Sequence, residues 1–213
     1  RDGLRRCEFL GLHEPLRDAS APAKRVRSVD DDVPGHAAGD EEVTMHGKDV
    51  IADAFGRVHG VVHGVVEGLT PMQLAFPIDA EANTIGWLVW HLTRIQDDHV
   101  TDVAGTEQAW TSDGWADRFD LPFDRHATGY GHTSTDVAAV RADAELLLGY
   151  LDAVHERTMA YLEKVTDDDL DRIVDRHWNP PVTLGVRLVS VVSDDLQHAG
   201  QAAFVKGVVQ RRG

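Results

Sequence analysis

The chain reads as an all-α protein built on a four-helix bundle. Three observations carry that reading. Four stretches repeat apolar residues every three or four positions; each opens at a capping residue or closes at a glycine; and no stretch sustains the alternation of a strand. Helices of this kind bury one face each, and four of them enclose a single core.

The first segment, about 46–68, carries Val50, Ala54, Val58, Val61, Val62, Val65 and Val66, and stops at Gly68 with Pro71 beyond. The second follows Asn83 or Thr84 and runs through Trp87, Leu88, His91, Leu92, Ile95 and Val100 to about Gly105. The third opens at Thr133-Ser134-Thr135-Asp136 and continues through Val140, Leu146, Leu147, Tyr150, Leu151, Val154, Met159 and Leu162 to Lys164. The fourth follows Pro180-Pro181, is capped by Thr183, and carries Leu184, Leu188, Val191, Leu196, Ala202 and Val205 to about Gln210. Between the second and third segments, about 105–133, lies a connection rich in Trp110, Trp115, Phe119 and Phe123, too aromatic for a loose linker. Its length lets it run along the whole bundle, which permits a parallel second and third helix, and lets it wall a pocket at one end.

With 213 residues, 42% of them hydrophobic, the chain suits one well-packed domain, taken as residues 45–213. Residues 1–44 mix Arg, Asp, Pro and Ser without period and include Asp30-Asp31-Asp32, so they read as a disordered tail. The start at Arg1, with Met45 just before the first periodic segment, marks that tail as a candidate non-native extension. A formal charge of −15 argues against nucleic acid as a partner, because such surfaces cluster Lys and Arg. The single cysteine, Cys7, allows no internal disulfide; no secretory leader or membrane-length apolar run is found, so the expectation is a cytoplasmic protein with no membrane partner. Glycine-rich phosphate loops, nucleophile elbows and CxxC pairs are missing from the sequence. Since the body after Met45 holds no cysteine, a sulfur nucleophile has to come from a small-molecule thiol.

The chemistry concentrates in Ser193-Asp194-Asp195-Leu196-Gln197-His198-Ala199-Gly200-Gln201. Asp194 and His198 stand four apart, so on a helix they share a face. Alone they read as a solvated patch, and His91 alone reads as a core histidine. Context joins them, because Asp194 and His198 interrupt a helix that is otherwise apolar, where an ionised carboxylate costs several kcal/mol unless a cation compensates. Two imidazoles and one carboxylate suit zinc and leave a coordination position open; iron, manganese, nickel and cobalt accept the same donors. Asp195 also reaches the His198 face and reads as a supporting or solvated residue, and Gln201 is placed to orient a ligand. Arg94 and Asp98 follow His91 on its own side, as an ion pair or as substrate contacts. A rival line, His59, His63 and Glu67, repeats every four residues, yet three donors on one straight helix rarely close around one ion. These residues read as partly exposed, with His63 toward the pocket, and His126, His155 and His177 read as ordinary surface.

The motifs NTIGWLVWHLTRIQDDHV at 83–100 and SDDLQHAGQ at 193–201 resemble the DinB-like (YfiT-like) metal-binding superfamily, and more closely its actinobacterial mycothiol-linked branch. The resemblance covers residues 46–210. Many members carry HxxxH at the second motif; Asp194 stands at the first of those histidines, which is similar to the acidic residue of the mycothiol-dependent maleylpyruvate isomerase pattern. The resemblance implies an up-down-down-up bundle with a long crossover between helices 2 and 3. It also implies a divalent metal, zinc before nickel, iron, manganese or cobalt, on His91, Asp194 and His198. Its activity would be transfer of a low-molecular-weight thiol such as mycothiol, as thiolate, to a small electrophile, and it admits a homodimer. A metal-dependent hydrolase and a non-catalytic metal-binding or stress-response protein stay open beside it, and no catalytic residue is assigned.

Overall fold

In the computed structural model, which describes residues 45–212, the elements run α1 (Gly47–Val66), α2 (Pro71–Leu74), α3 (Ile85–Ala104), α4 (Ala109–Ser112), α5 (Trp115–Phe119), α6 (Ser134–Ala139), α7 (Ala144–Leu162), α8 (Asp167–Leu170), β1 (Ile173–Asp175), β2 (Val182–Thr183) and α9 (Leu184–Arg212). The reading of residues 1–44 as a tail, with Cys7, lies outside the described residues. The long helices α1, α3, α7 and α9 form the bundle. In it α1 and α3 each pack against both α7 and α9, which sets the four in a ring with α1 diagonal to α3. The α3–α9 seam and the α1–α7 seam therefore lie on opposite sides, and each carries a cluster of polar residues described below.

Sequence explains the helix ends. Thr84 caps α3 by accepting from the Trp87 N–H at 3.2 Å, and α3 stops where Gly105 turns left-handed at φ 67°. Asp167 clamps the start of α1, accepting from the Gly47 N–H at 3.0 Å and lying 2.9 Å from His46 Nδ1. The core face of α1 is Ile51, Phe55, Val58, Val62, Val65 and Val66. The expected stripe began one residue early: Val50 and Val61 face solvent, while Ile51 and Phe55 are buried. Both phases satisfy a three-and-four spacing at this end, and packing against α9 selects the second.

Two further expectations are corrected. The third segment is not one helix, because it holds two competing N-caps: Thr133 caps α6, and Asp143 caps α7 by accepting from the Leu146 N–H at 2.8 Å. The chain is extended at Val140 between them. A short antiparallel pair is also present, β1 with β2, pairing Ile173 with Thr183 and Asp175 with Val182. It delivers the chain into α9, whose start is capped by Thr183 through the Val186 N–H at 3.3 Å.

The long crossover is ordered by α3. Asp97 accepts from the Ala109 N–H at 3.0 Å and the Trp110 N–H at 2.8 Å, capping α4 from inside the core. Tyr150 on α7 donates to the same carboxylate at 2.8 Å and accepts from Arg94 Nη1 at 3.1 Å. Arg94 also donates to the Ala127 carbonyl at 3.2 Å and lies over the Trp110 ring at 5.0 Å. This buried Arg–Tyr–Asp network holds both ends of the crossover to α3. Among the described residues no helix is long and apolar enough to cross a membrane.

Candidate metal centre

His91 comes from the middle of α3, where almost every position is buried because this helix faces α7, α9 and the crossover together. The residue is 7% exposed, and its ring stacks on Trp87, centroids 4.6 Å apart. His91 Nδ1 lies 2.6 Å from the Thr128 carbonyl. A carbonyl only accepts, so Nδ1 carries the proton and Nε2 keeps its lone pair. One turn of α9 supplies the rest. His198 Nδ1 lies 2.9 Å from the Asp194 carbonyl, which leaves its Nε2 free in the same way. The His91 and His198 rings meet edge to face at 4.7 Å, and one ligand atom from each of His91, Asp194 and His198 lies within 4.8 Å of the others.

The donor set fits a cation. Asp194 Oδ2 is buried and makes no hydrogen bond among the described residues, although His198 Nδ1 is 3.4 Å away. A carboxylate oxygen left unpaired in the interior is costly, and a positive ion between two imidazoles removes that cost. Both Nδ1 protons are spoken for by carbonyls, an arrangement typical of metal-ligating histidines. Burial holds the His91 pKa down at about 4, the charges of His198 and His132 adding to it against the Thr128 hydrogen bond, so the ring is neutral at neutral pH. For His198, burial opposes protonation, but the Asp194 side chain and carbonyl outweigh it and raise its pKa.

The crossover closes over the centre. Gly129, at φ 101°, runs so close that a Cβ would stand 2.7 Å from His91 Nδ1 and 3.0 Å from the Trp90 ring. Trp87 Nε1 donates to His132 Nδ1 at 3.1 Å, and the His132 ring stacks on Trp90 at 5.7 Å. His132 is the residue that sequence reasoning missed; it stood unremarked in Gly129-Tyr130-Gly131-His132, and only crossover packing brings it to α3. Burial lowers its pKa, partly offset by Asp136.

The supporting residues expected from sequence are redistributed. Arg94 is wholly buried in the Tyr150–Asp97 network, and its bond to Ala127 O steadies the turn whose next carbonyl holds His91. Asp98 accepts from Gln108 Nε2 at 2.7 Å and anchors the crossover's start. Gln201 is exposed, and its side chain makes no hydrogen bond among the described residues. Asp195 is not solvated: it is fully buried, both carboxyl oxygens lack partners among the described residues, and burial with the adjacent Asp194 charge pushes its pKa far up. Leu196, expected in the core, is 46% exposed instead. His63 does not face this centre but lies on the α1–α7 seam, beside a His155 that is partly buried. A second unforeseen imidazole, His99, is buried two turns further along α3 and accepts from Arg187 Nη1 at 2.9 Å.

The four-helix architecture is that of a DinB-like protein. The profile of the mycothiol-S-transferase family matches residues 50–210, and the chain belongs to that family. It is also similar to a solved structure, a conserved protein from Enterococcus faecalis, at 28% identity and a TM-score of 0.73, covering 78% of this chain and 98% of that one. No curated protein matches the chain.

Proposed function

We propose that the protein is a metal-dependent S-transferase that joins a low-molecular-weight thiol, mycothiol or a close relative, to a small electrophile. The observation that carries the proposal is the orphaned Asp194 Oδ2, buried between two imidazoles that present free Nε2 lone pairs. A divalent ion on two neutral imidazoles and one carboxylate keeps one formal positive charge, which favours a thiol as its thiolate and lowers its pKa. The chain's own residues do the remainder. Trp87 and Trp90 wall the centre with aromatic surface, and the Thr128–Gly129 turn covers His91 and excludes water from its face. In transfer, the thiolate's electron pair forms the new S–C bond while the electrophile's leaving group, or an opened π bond, takes a pair away. His132, with Nδ1 occupied by Trp87 and its pKa lowered by burial, offers an Nε2–H beside that wall as a hydrogen-bond donor to charge developing on the departing or newly anionic atom, which takes its proton from solvent.

The family membership supports the thiol, and the donor set supports the metal. The test compares wild type with Asp194→Ala for metal content after dialysis and for conjugation of mycothiol to a panel of haloaromatic and epoxide electrophiles. Wild type should retain metal and consume thiol, and Asp194→Ala should lose metal affinity by more than tenfold. Equal metal in both proteins removes Asp194 from the centre, and turnover in thiol-free buffer replaces transfer with hydrolysis.

A further inference from the structure

On the side of the bundle opposite the His91 centre, α1 and α7 bring four titratable residues into one group. His59 and His63 stand one turn apart on α1, and Asp152 and His155 one turn apart on α7. His59 Nε2 and His63 Nε2 each lie 2.7 Å from the same atom, Asp152 Oδ1. The two rings are 4.5 Å apart, and one ligand atom from each of the three residues lies within 4.8 Å of the others. We propose that His59, His63 and Asp152 form a second divalent transition-metal site, which clips α1 to α7 and shares no ligand with the centre on α3 and α9.

Several features separate this group from an ordinary surface ion pair. Two imidazole nitrogens converge on one carboxylate oxygen rather than spreading over both, so a single point between the helices already has three donors around it. His63 has a carboxylate at each nitrogen, Asp152 at Nε2 and Glu67 Oε1 at 3.4 Å from Nδ1. Burial opposes its protonation, but those two carboxylates together raise its pKa. A metal replaces the proton on Nε2 and leaves Nδ1–H with Glu67, the carboxylate–histidine arrangement that orients a ligating ring. His155 stacks on His59 at 4.2 Å, and its Nδ1 is buried without a hydrogen-bond partner among the described residues.

The chemistry selects the ion. Two imidazoles with one carboxylate favour zinc, cobalt, nickel or copper over magnesium and calcium, which prefer all-oxygen cages. Side-chain exposures of 27% for His59 and His63 and 52% for Asp152 leave a path for entry from solvent. Because the ligands come from two helices, an ion bound there stabilises the folded bundle by mass action.

The experiment measures zinc alone, in tag-free full-length protein, by elemental analysis after equilibrium dialysis and by the rise in melting temperature. Four proteins are needed beside wild type: His91→Ala/His198→Ala, Asp152→Asn/His63→Ala, the combination of all four changes, and His91→Ala/His198→Ala with Asp152→Asn as its one further change. The first should keep one zinc per chain and still gain several degrees on zinc addition; the combination should bind none and gain nothing. The isosteric Asp152→Asn alone, which preserves packing, should weaken that remaining site by more than tenfold. Zinc absent from His91→Ala/His198→Ala, or retained when Asp152 and His63 are also replaced, overturns the proposal. Loss of zinc from the other side, in Asp152→Asn/His63→Ala, bears on the His91 centre instead, so the two readings fail separately.

Discussion

Acid should destabilise the metal-free protein through His91, and by a calculable amount. In the folded chain this ring resists protonation down to about pH 4, against an ordinary value of 6.5. Between those limits the unfolded chain binds a proton that the folded chain does not, so stability falls as pH falls from 6.5 toward 4. At about 1.36 kcal/mol per pH unit the full loss is about 3.4 kcal/mol, of which about 2.5 kcal/mol is reached by pH 4.5. With the residue only 7% exposed, solvent does little to reduce this figure. Asp195 works in the opposite sense, since its raised pKa makes the folded chain the better proton binder as pH falls. The wild-type curve therefore mixes both contributions, and His91→Gln separates them. Glutamine is neutral throughout and still offers an N–H to the Thr128 carbonyl. Urea unfolding followed by circular dichroism, with a chelator present, at pH 7.5, 6.5, 5.5 and 4.5 gives the stability of each protein. The gap between wild type and His91→Gln should move by about 2–3 kcal/mol across that range, against wild type as the solution is acidified. A gap constant to within about 0.5 kcal/mol would show that His91 is not a suppressed base, and the reasoning would be wrong.

Other substitutions probe the surrounding frame. Tyr150→Phe removes the hydroxyl shared by Asp97 and Arg94 in the fully buried network, and should cost about 1–3 kcal/mol in urea unfolding; a loss below 0.5 kcal/mol would mean the network is not holding the crossover. Asp195→Leu replaces an unpartnered buried carboxyl with an apolar group of similar shape, and should stabilise by about 1–3 kcal/mol at pH 8 and by less at pH 5; equal gains at both would contradict its raised pKa. Gly129→Ala forces a Cβ against His91 at a left-handed φ, and should cost about 1–3 kcal/mol while loosening metal retention; unchanged melting temperature and zinc content would show that the turn does not press on the centre.

Much of the bundle was legible because helix formation is local. Thr84, Thr133 and Thr183 cap where a capping residue meets an apolar period, and Gly105 stops α3 where a left-handed turn was due. The crossover was legible only as an aromatic stretch. Its order depends on Asp97, a carboxylate whose partners Ala109, Trp110 and Tyr150 are brought to it by tertiary packing, and nothing in QDDHV distinguishes this aspartate from Asp98. The short β1–β2 pair escaped notice for the same reason, since two and three residues give no period to read.

The two candidate clusters show how far spacing alone can reach. On α9 the buried stripe runs Leu184, Leu188, Val191, Asp195, Ala199, Ala202, Val205 and Val209, with Val192 beside it, and every step along the stripe is three or four residues. Asp195 therefore occupies a core register and Leu196 does not, as the phase of that stripe dictates in the sequence. The same phasing turns Asp194 and His198 together toward α3. On α1, spacing places His59, His63 and Glu67 on one face, but it does not name Asp152, the carboxylate that both histidines meet. Asp152 lies 93 and 89 residues from the two histidines, so no one-dimensional interval can name it. Residues four apart share a helix face, which supplies two donors; a third donor that approaches from another direction must come from a neighbouring helix, and helix packing decides which one.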